Sequence, residues 1–477
     1  MWSRRDKFPP GPYGGLKGWS FRALRQNPLE MFSELARYGD VVGIRVLNFR
    51  NIFVNHPEHI EEVLVGHPRR YIKGRVLRAN RHVFGEGLLT SEGDFWLRQR
   101  RFVQPAFHRG RVAAYAETMV RYAQRMLQGW RDGEEHDVHR EMMRLTLQIV
   151  AKTLFDADVA GDAQDVGKSL ELLLELGADF RRTLFVPHWM PTPTNLRIRR
   201  EIAFIEGILY RIISDRRASG SDTGDLLSML LHAHDEDGSR MTDQQLRDET
   251  ITLFLAGHET TASSLSWTWW LLARNPAAEA KLHAELDEVL VGRAPALEDL
   301  PRLPYTGNVI TESLRLYPPA WGLARVAVEN HELAGYPVKK GMGVTMAQWV
   351  VHRDTRWYEA PEEFRPERWE GDFIRRIPRF AYFPFGGGPR QCIGNSFALM
   401  EAALILATVA QKYRLRVVPD HPVVPLASIT LRPRYGVRVK LESRQGCAPE
   451  RLPQANRPAT QAISADKRGF SAQPWSS

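Results

Sequence analysis

The period of apolar positions changes twice along the chain. Near the N-terminus, "VVGIRV" and "NIFVN" are short and rich in β-branched residues, which predicts two strands joined by a turn. "HPEHIEEVL" follows, and Pro57 suits a helix start because the first helical N–H has no partner to lose. From about residue 92 to 318 apolar residues recur three and four apart, as in "VAAYAETMVRYAQRML", so helices make up most of the fold. After residue 320, stretches such as "ELAGYPVKKGMGVTM" predict strands around tight turns. The expected class is mainly α with small β regions, an α+β fold. It forms one domain over residues 1–442, with a β-rich part at 8–90, a helical part at 91–318 and a mixed part at 319–442. Residues 443–477 are rich in Ser, Ala, Gln, Pro and Arg without an apolar period and are expected to be a disordered tail.

Two segments interrupt the helical half. "FVPHWMPTPTN" (185–195) holds three prolines and a tryptophan, so no regular helix is expected there; it fits a mobile apolar lid or a plain loop. "HAHDEDGSRMT" (232–242) is an acidic turn without the full calcium-loop pattern. Beyond it, Thr242 and Gln245 form a capping-box start, and the helical pattern runs to Arg274 before Asn275 and Pro276 stop it. Such a helix spans roughly 45 to 50 Å, the width of a domain. Its apolar window "ITLFLAGHETTASSLSWTWWLL" carries His258 and Glu259 near the middle, which is costly in lipid, so a buried helix is expected rather than a membrane span.

Composition narrows the classes. With 477 residues, 43% of them hydrophobic, the chain can bury a large core. Cys392 and Cys447 lie far apart and outside any paired framework, which suits a reducing, cytoplasmic setting and leaves Cys392 as a free thiol or a metal ligand. The net charge of +9 is spread among plentiful acids, with no nucleic-acid-binding signature; a basic face for an acidic protein partner accounts for it, and no nucleic acid is expected. The start "MWSRRDKFPPGPYGG" has no long apolar run, so a soluble protein without a membrane anchor is expected.

Four motifs carry the chemistry. In "AGHETT" (256–261) a glycine, a carboxylate and two hydroxyls weaken a buried helix, because a threonine hydroxyl can bond back to the carbonyl four residues earlier. This fits a groove where a small polar ligand meets Thr260 with Glu259 ready to pass protons, and it equally fits a water-satisfied polar patch. The zinc-protease pattern H-E-x-x-H fails, since its second histidine position is Ala262. In "ITESLRLYPP", Glu312 and Arg315 share a helix face and can pair, with Arg368 of "FRPERW" as a further partner; an isolated exposed pair would contribute little. In "FPFGGGPRQCIG" (383–394) glycines permit close backbone approach, Arg390 supplies a cation, and the apolar helix after Cys392 favours a thiolate at its N-terminus. A cysteine nucleophile remains a competing reading, although no histidine lies nearby in sequence.

Taken together these motifs resemble the cytochrome P450 family over residues 8–440. "FGGGPRQCIG" matches its haem-binding signature at Phe385, Gly388, Arg390, Cys392 and Gly394; "AGHETT" resembles its oxygen-activation groove, and "ESLR" with "FRPERW" resembles its Glu-Arg-Arg structural triad, Glu312, Arg315 and Arg368. Trp96 and Arg100 in "FWLRQRR" are similar to the pair that binds a haem propionate, and Arg325 sits where another propionate-binding arginine follows. The resemblance implies a helix-rich haem domain with a long central helix and haem b (iron protoporphyrin IX) held by Cys392 as the metal ligand, whose thiolate favours O–O cleavage. It implies Thr260 and Glu259 as catalytic residues that deliver protons in a monooxygenation of an apolar substrate by O2, hydroxylation or epoxidation. With no fused flavin reductase or iron–sulfur cysteine cluster, a monomer fed by a ferredoxin or flavodoxin with its reductase is expected, and Arg98, Arg101, Arg109 and Arg111 are candidate docking contacts. By family placement the substrate walls are Phe84, Leu88, Phe254, Ala256, Trp321, Leu323 and Ile429, whose apolar character suggests a fatty acid, terpenoid, carotenoid or polyketide. The alternatives are a peroxygenase or isomerase of the same haem-thiolate class, or a non-catalytic haem-binding protein.

Overall fold

A computed structural model describes residues 8–12, 27–46, 49–157, 163–178, 186–220, 224–234, 238 and 240–444. The two N-terminal runs form β1 (Val41–Val46) and β2 (Phe49–Val54), paired antiparallel with Val41 opposite Val54. They join a five-stranded sheet whose order is β1-β2-β5-β4-β3, with β3 Tyr71–Lys73, β4 Leu323–Ala327 and β5 Gly343–Met346. Pro57 opens the helix Pro57–Glu61. One apolar cluster lies along this sheet, with Ile52, Val54, Ile60, Val344 and Met346 buried.

Helices form the bulk of the molecule, as the 3.6-residue period predicts. Those that position the site are α1 (Arg81–Phe84), α2 (Gly93–Val103), α3 (Val138–Phe155), α4 (Pro193–Ser219), α5 (Asp243–Arg274), α6 (Pro304–Leu316) and α7 (Asn395–Ala410). The central helix α5 has the predicted capping box, the Thr242 hydroxyl accepting from the Gln245 N–H at 3.2 Å and the Gln245 side chain accepting from Thr242 N–H at 2.9 Å. It is buried along most of its length, which fits its apolar window, and it packs on α3, α6 and α7. Among the described residues no helix is long and apolar enough to cross a membrane.

The reading of 185–195 as non-helical is corrected at its end. Pro193 opens α4 behind the Thr192 cap, because a proline at the first helical position loses no hydrogen bond. The residues before it fold into a turn in which the Asn195 side-chain amide donates to the Pro187 and Met190 carbonyls, leaving Trp189 66% exposed. The C-terminal strand Arg438–Ser443 pairs Ser443 with Tyr413, so it runs one residue into the segment read as tail; residues 445–477 lie outside the described ones.

Candidate functional site: a cysteine loop within a cationic cluster

The loop before α7 is built around Cys392. Its backbone N–H donates to the Phe385 carbonyl at 3.0 Å, closing the loop. Gly388 adopts φ +67, and a methyl there would overlap the Leu64 carbonyl oxygen, so position and chirality both demand glycine. Cys392 is accessible although it sits deep in the fold, because it opens onto a cavity of about 460 Å³ lined by Trp96, Arg100, Phe107, Gly388, Gln391 and Ile393 among others. Burial pushes its thiol up, while the Gly394 N–H, Arg100 and Lys73 favour the thiolate. Phe385 and Gly394 thus act through their backbone.

The predicted cations converge on the same place. Arg390 pairs with Glu92, donates to the Ser91 carbonyl at 2.8 Å and lies 3.8 Å from the centre of the Trp96 ring. Arg100 donates to the Gln391 carbonyl at 2.9 Å, next to Cys392. Arg325 is buried on β4, where burial lowers its pKa to about 10 while Glu92 opposes the shift. Lys73 was not singled out by sequence reasoning. The β3–β4 register sets it directly opposite Arg325, and burial followed by Arg325 and Arg390 lowers its pKa to about 7. Its backbone N–H donates to Glu92 at 2.6 Å. The only hint in the sequence was a lysine ending a short strand, since its cationic partners lie far along the chain.

These residues fit a haem. Lys73, Arg100, Arg325 and Arg390 repel one another, with Glu92 the one carboxylate among the described residues that offsets Lys73 and Arg390, and this repulsion is what two propionates would relieve. The glycine turn and the accessible thiol supply close backbone approach and an iron ligand.

On α5, Ala256 is exposed and Gly257 and Thr260 are partly so, in the middle of an otherwise buried helix, which marks an internal space on that face. The Thr260 hydroxyl donates to the Ala256 carbonyl at 2.6 Å, the predicted back-bond, and the helix continues without a break. Thr260 and Glu259, both expected to deliver protons, do not share a helix face. Consecutive helix positions point about 100° apart, and Glu259 is buried on another face, accepting from the Thr430 hydroxyl at 2.5 Å with its pKa raised by burial.

The wall residues separate in the same way. Phe254 is 200° or so around the helix from Ala256 and stacks on Phe155 at 4.7 Å in the core; Phe84 is buried as well. Neither forms an open wall. Trp321 donates its indole N–H to the Ser428 carbonyl at 2.9 Å and packs on Phe32. Leu88, Leu323 and Ile429 are half-buried.

Glu312, Arg315 and Arg368 meet as predicted, but not as an exposed pair. Arg315 binds both Glu312 oxygens at 2.8 Å with both side chains fully buried, and Arg368 reaches Glu312 at 3.4 Å. Trp369 donates to Glu312 at 2.8 Å, and Arg315 also donates to the His352, Pro361 and Glu363 carbonyls. Among the docking candidates, Arg101 and Arg111 are exposed, and Arg98 lies over the Phe102 ring.

Comparison with known proteins agrees with this geometry. The family model described as Cytochrome P450 matches residues 9–440. Cyclooctatin synthase of Streptomyces melanosporofaciens is 40% identical over 86% of this chain and 90% of its own length. Cyclooctat-9-en-7-ol 5-monooxygenase of the same organism is 39% identical over 83% of this chain and 87% of its own. The crystal structure of the haem domain of cytochrome P450DA superposes with a TM-score of 0.83 at 28% identity, covering 92% of this chain and 98% of that one.

Proposed function

The chain belongs to the cytochrome P450 family, and from that premise we propose that it oxygenates a cyclic terpenoid, with electrons from a separate ferredoxin or flavodoxin and its reductase. As a family member it is a haem-thiolate monooxygenase of apolar organic substrates. The observation that carries the site assignment is Cys392, accessible on its cavity, with Arg100 and Lys73 acting on its sulfur and Arg325 and Arg390 acting in turn on Lys73. When bound, haem supplies activation of O2 and transfer of one oxygen atom to the substrate. Cys392 would ligate its iron, with the Gly394 N–H and Arg100 moderating the charge on sulfur. Arg100, Arg325, Arg390 and Lys73 would hold the propionates, and the Trp96 ring holds Arg390 in place.

Thr260 is the member of the acid-alcohol pair on the open face of α5, so its hydroxyl is the group placed to hold and pass a proton there. Glu259 is tied to Thr430 on another face of the helix. The terpenoid class is supported by the apolar half-buried residues Leu88, Leu323 and Ile429 and by a relative named for a cyclic alkenol. Exposed Arg101 and Arg111, close in sequence to the cavity-lining residues Arg100, Phe107 and His108, suit an acidic electron donor.

The test is spectroscopic. The reduced protein under carbon monoxide is expected to show the strongly red-shifted Soret band of a thiolate-ligated haem, and Cys392→Ala to lose it. A cyclic terpenoid alcohol is then expected to shift the Soret band of the oxidised protein at micromolar concentration where lauric acid does not. The reverse order would sink the terpenoid assignment.

A further inference from the structure

The segment between α1 and α2 is held against α5 by a group of residues that the reaction does not use. The Glu86 N–H donates to Asp248 at 2.8 Å and the Leu88 N–H to Glu249 at 3.1 Å. Asp248 is itself fixed by Arg247 at 2.9 Å and Gln244 at 2.8 Å, and Arg247 is anchored on α4 through Glu206 at 2.6 Å. Within the segment the Thr90 hydroxyl donates to the Gly85 carbonyl at 2.6 Å. The fit is close: a methyl at Gly85, which has φ +64, would overlap the Asp248 carboxylate, and one at Gly87 would overlap the Thr252 hydroxyl.

Burying two adjacent carboxylic acids is costly unless each is bonded, so a helix that spends Asp248 and Glu249 on two backbone amides is gripping that backbone. Position gives the grip a consequence. Seven and eleven residues on from Glu249 are Ala256 and Thr260, which returns to the same helix face within about 20°. Leu88 is therefore pinned on the helix face that opens further along at Ala256, about 10 Å away along the axis. Leu88 is half-buried and packs against the main core, so where its amide is held decides where its side chain stands.

We propose that Glu249 is a positioning residue: by accepting the Leu88 amide, with Asp248 holding Glu86, it fixes the 85–90 strap and so sets the shape of the substrate cavity. Burial keeps the Glu249 carboxyl protonated to about pH 8, and a neutral acid still offers a carbonyl oxygen to that amide, as a glutamine would. The clamp stands on the described contacts alone; its effect on ligands rests on the haem-thiolate reading.

The experiment uses the haem-loaded protein and four forms: wild type, Glu249→Ala, Glu249→Gln and Gly87→Ala. Hydrogen exchange at the Leu88 amide reads the clamp, and Soret titrations with imidazole and with the bulky azole clotrimazole separate the iron from the cavity. Glu249→Ala is expected to speed Leu88 exchange about tenfold or more, the size of one buried hydrogen bond. It should change clotrimazole affinity roughly fivefold or more while leaving imidazole unchanged, a fraction of that same bond's strength. Glu249→Gln should restore both, and Gly87→Ala, which pushes the strap away with Glu249 intact, should repeat the alanine result. Wild-type exchange in both Glu249→Ala and Gly87→Ala, or equal losses for the two azoles, would overturn the proposal. If the wild-type protein gave no azole shift, the haem reading would fail, and the exchange rates would still decide the clamp.

Discussion

Lys73 and Arg325 face each other across two strands, and among the described residues Glu92 is the carboxylate that acts on both. Glu92 serves Arg390, Lys73 and, more distantly, Arg325, so the cluster carries surplus positive charge in a partly desolvated place, an arrangement that favours bound anions strongly. Removing one cation therefore weakens cofactor retention more than it weakens the fold. Arg325→Ala is expected to shorten the half-life of haem in the protein by about tenfold or more against apomyoglobin as acceptor, the scale of one charge-assisted hydrogen bond. The far-ultraviolet dichroism should stay unchanged. Loss of helicity together with haem would show instead that Arg325 is part of the core. Thr260 and Glu259 carry the opposite lesson: residues adjacent in sequence sit on different helix faces and meet different partners.

At the scale of elements, the junction of α6 with the segment 352–369 rests on Glu312. Its two oxygens receive Arg315, Arg368, Trp369 and the Arg365 N–H, and Arg315 goes on to three carbonyls of the loop. This loop leads toward the cysteine segment: the Tyr358 hydroxyl donates to the Ala381 carbonyl at 2.9 Å, and the Phe383 N–H donates to His352 at 3.0 Å. Breaking a buried pair by removing one partner costs about 3–5 kcal/mol because a charge is left uncompensated. Glu312→Ala is accordingly expected to lower the urea midpoint and to give protein that fails to retain haem at 37 °C. A midpoint equal to wild type would show that the network is not structural.

For the whole molecule, the buried ionisable groups set the pH range of stability. Burial lowers His258, His283 and His352 to about 3 and His139 to about 4, so below their usual 6.5 the unfolded chain binds protons that the folded chain refuses, and stability is lost as the pH falls. Burial raises Glu249 and Glu401 to about 8, so between their usual 4.5 and 8 the folded chain keeps protons that the unfolded chain releases, and stability falls as pH rises. Below 6.5 the four histidines outnumber Glu249, Glu401 and Glu259, which burial also raises, so stability falls toward acid pH; between 6.5 and 8 the carboxyls make it decline again, and Lys73, lowered to about 7, offsets part of that decline. Thermal unfolding of the haem-loaded protein across pH 5 to 9 checks this, and Glu401→Gln should flatten the alkaline side; an unchanged slope in that variant would assign the decline elsewhere. Much of this protein was legible in its sequence, because the features concerned are local. Periodicity marks the helices and strands, the capping box at Thr242 marks the start of α5, and the spacing Phe385 to Gly394 marks the cysteine loop, each written within a few turns of backbone. Tertiary structure alone decided which groups meet. Lys73 joined Arg325 through strand register, Glu312 became a buried hub rather than a surface pair, Phe254 went to the core, and Glu249 reached Leu88 across more than a hundred residues. The reason is physical: local backbone preference depends on neighbours in sequence, whereas charge, burial and hydrogen bonding depend on neighbours in space, and those exist only once the chain has closed on itself.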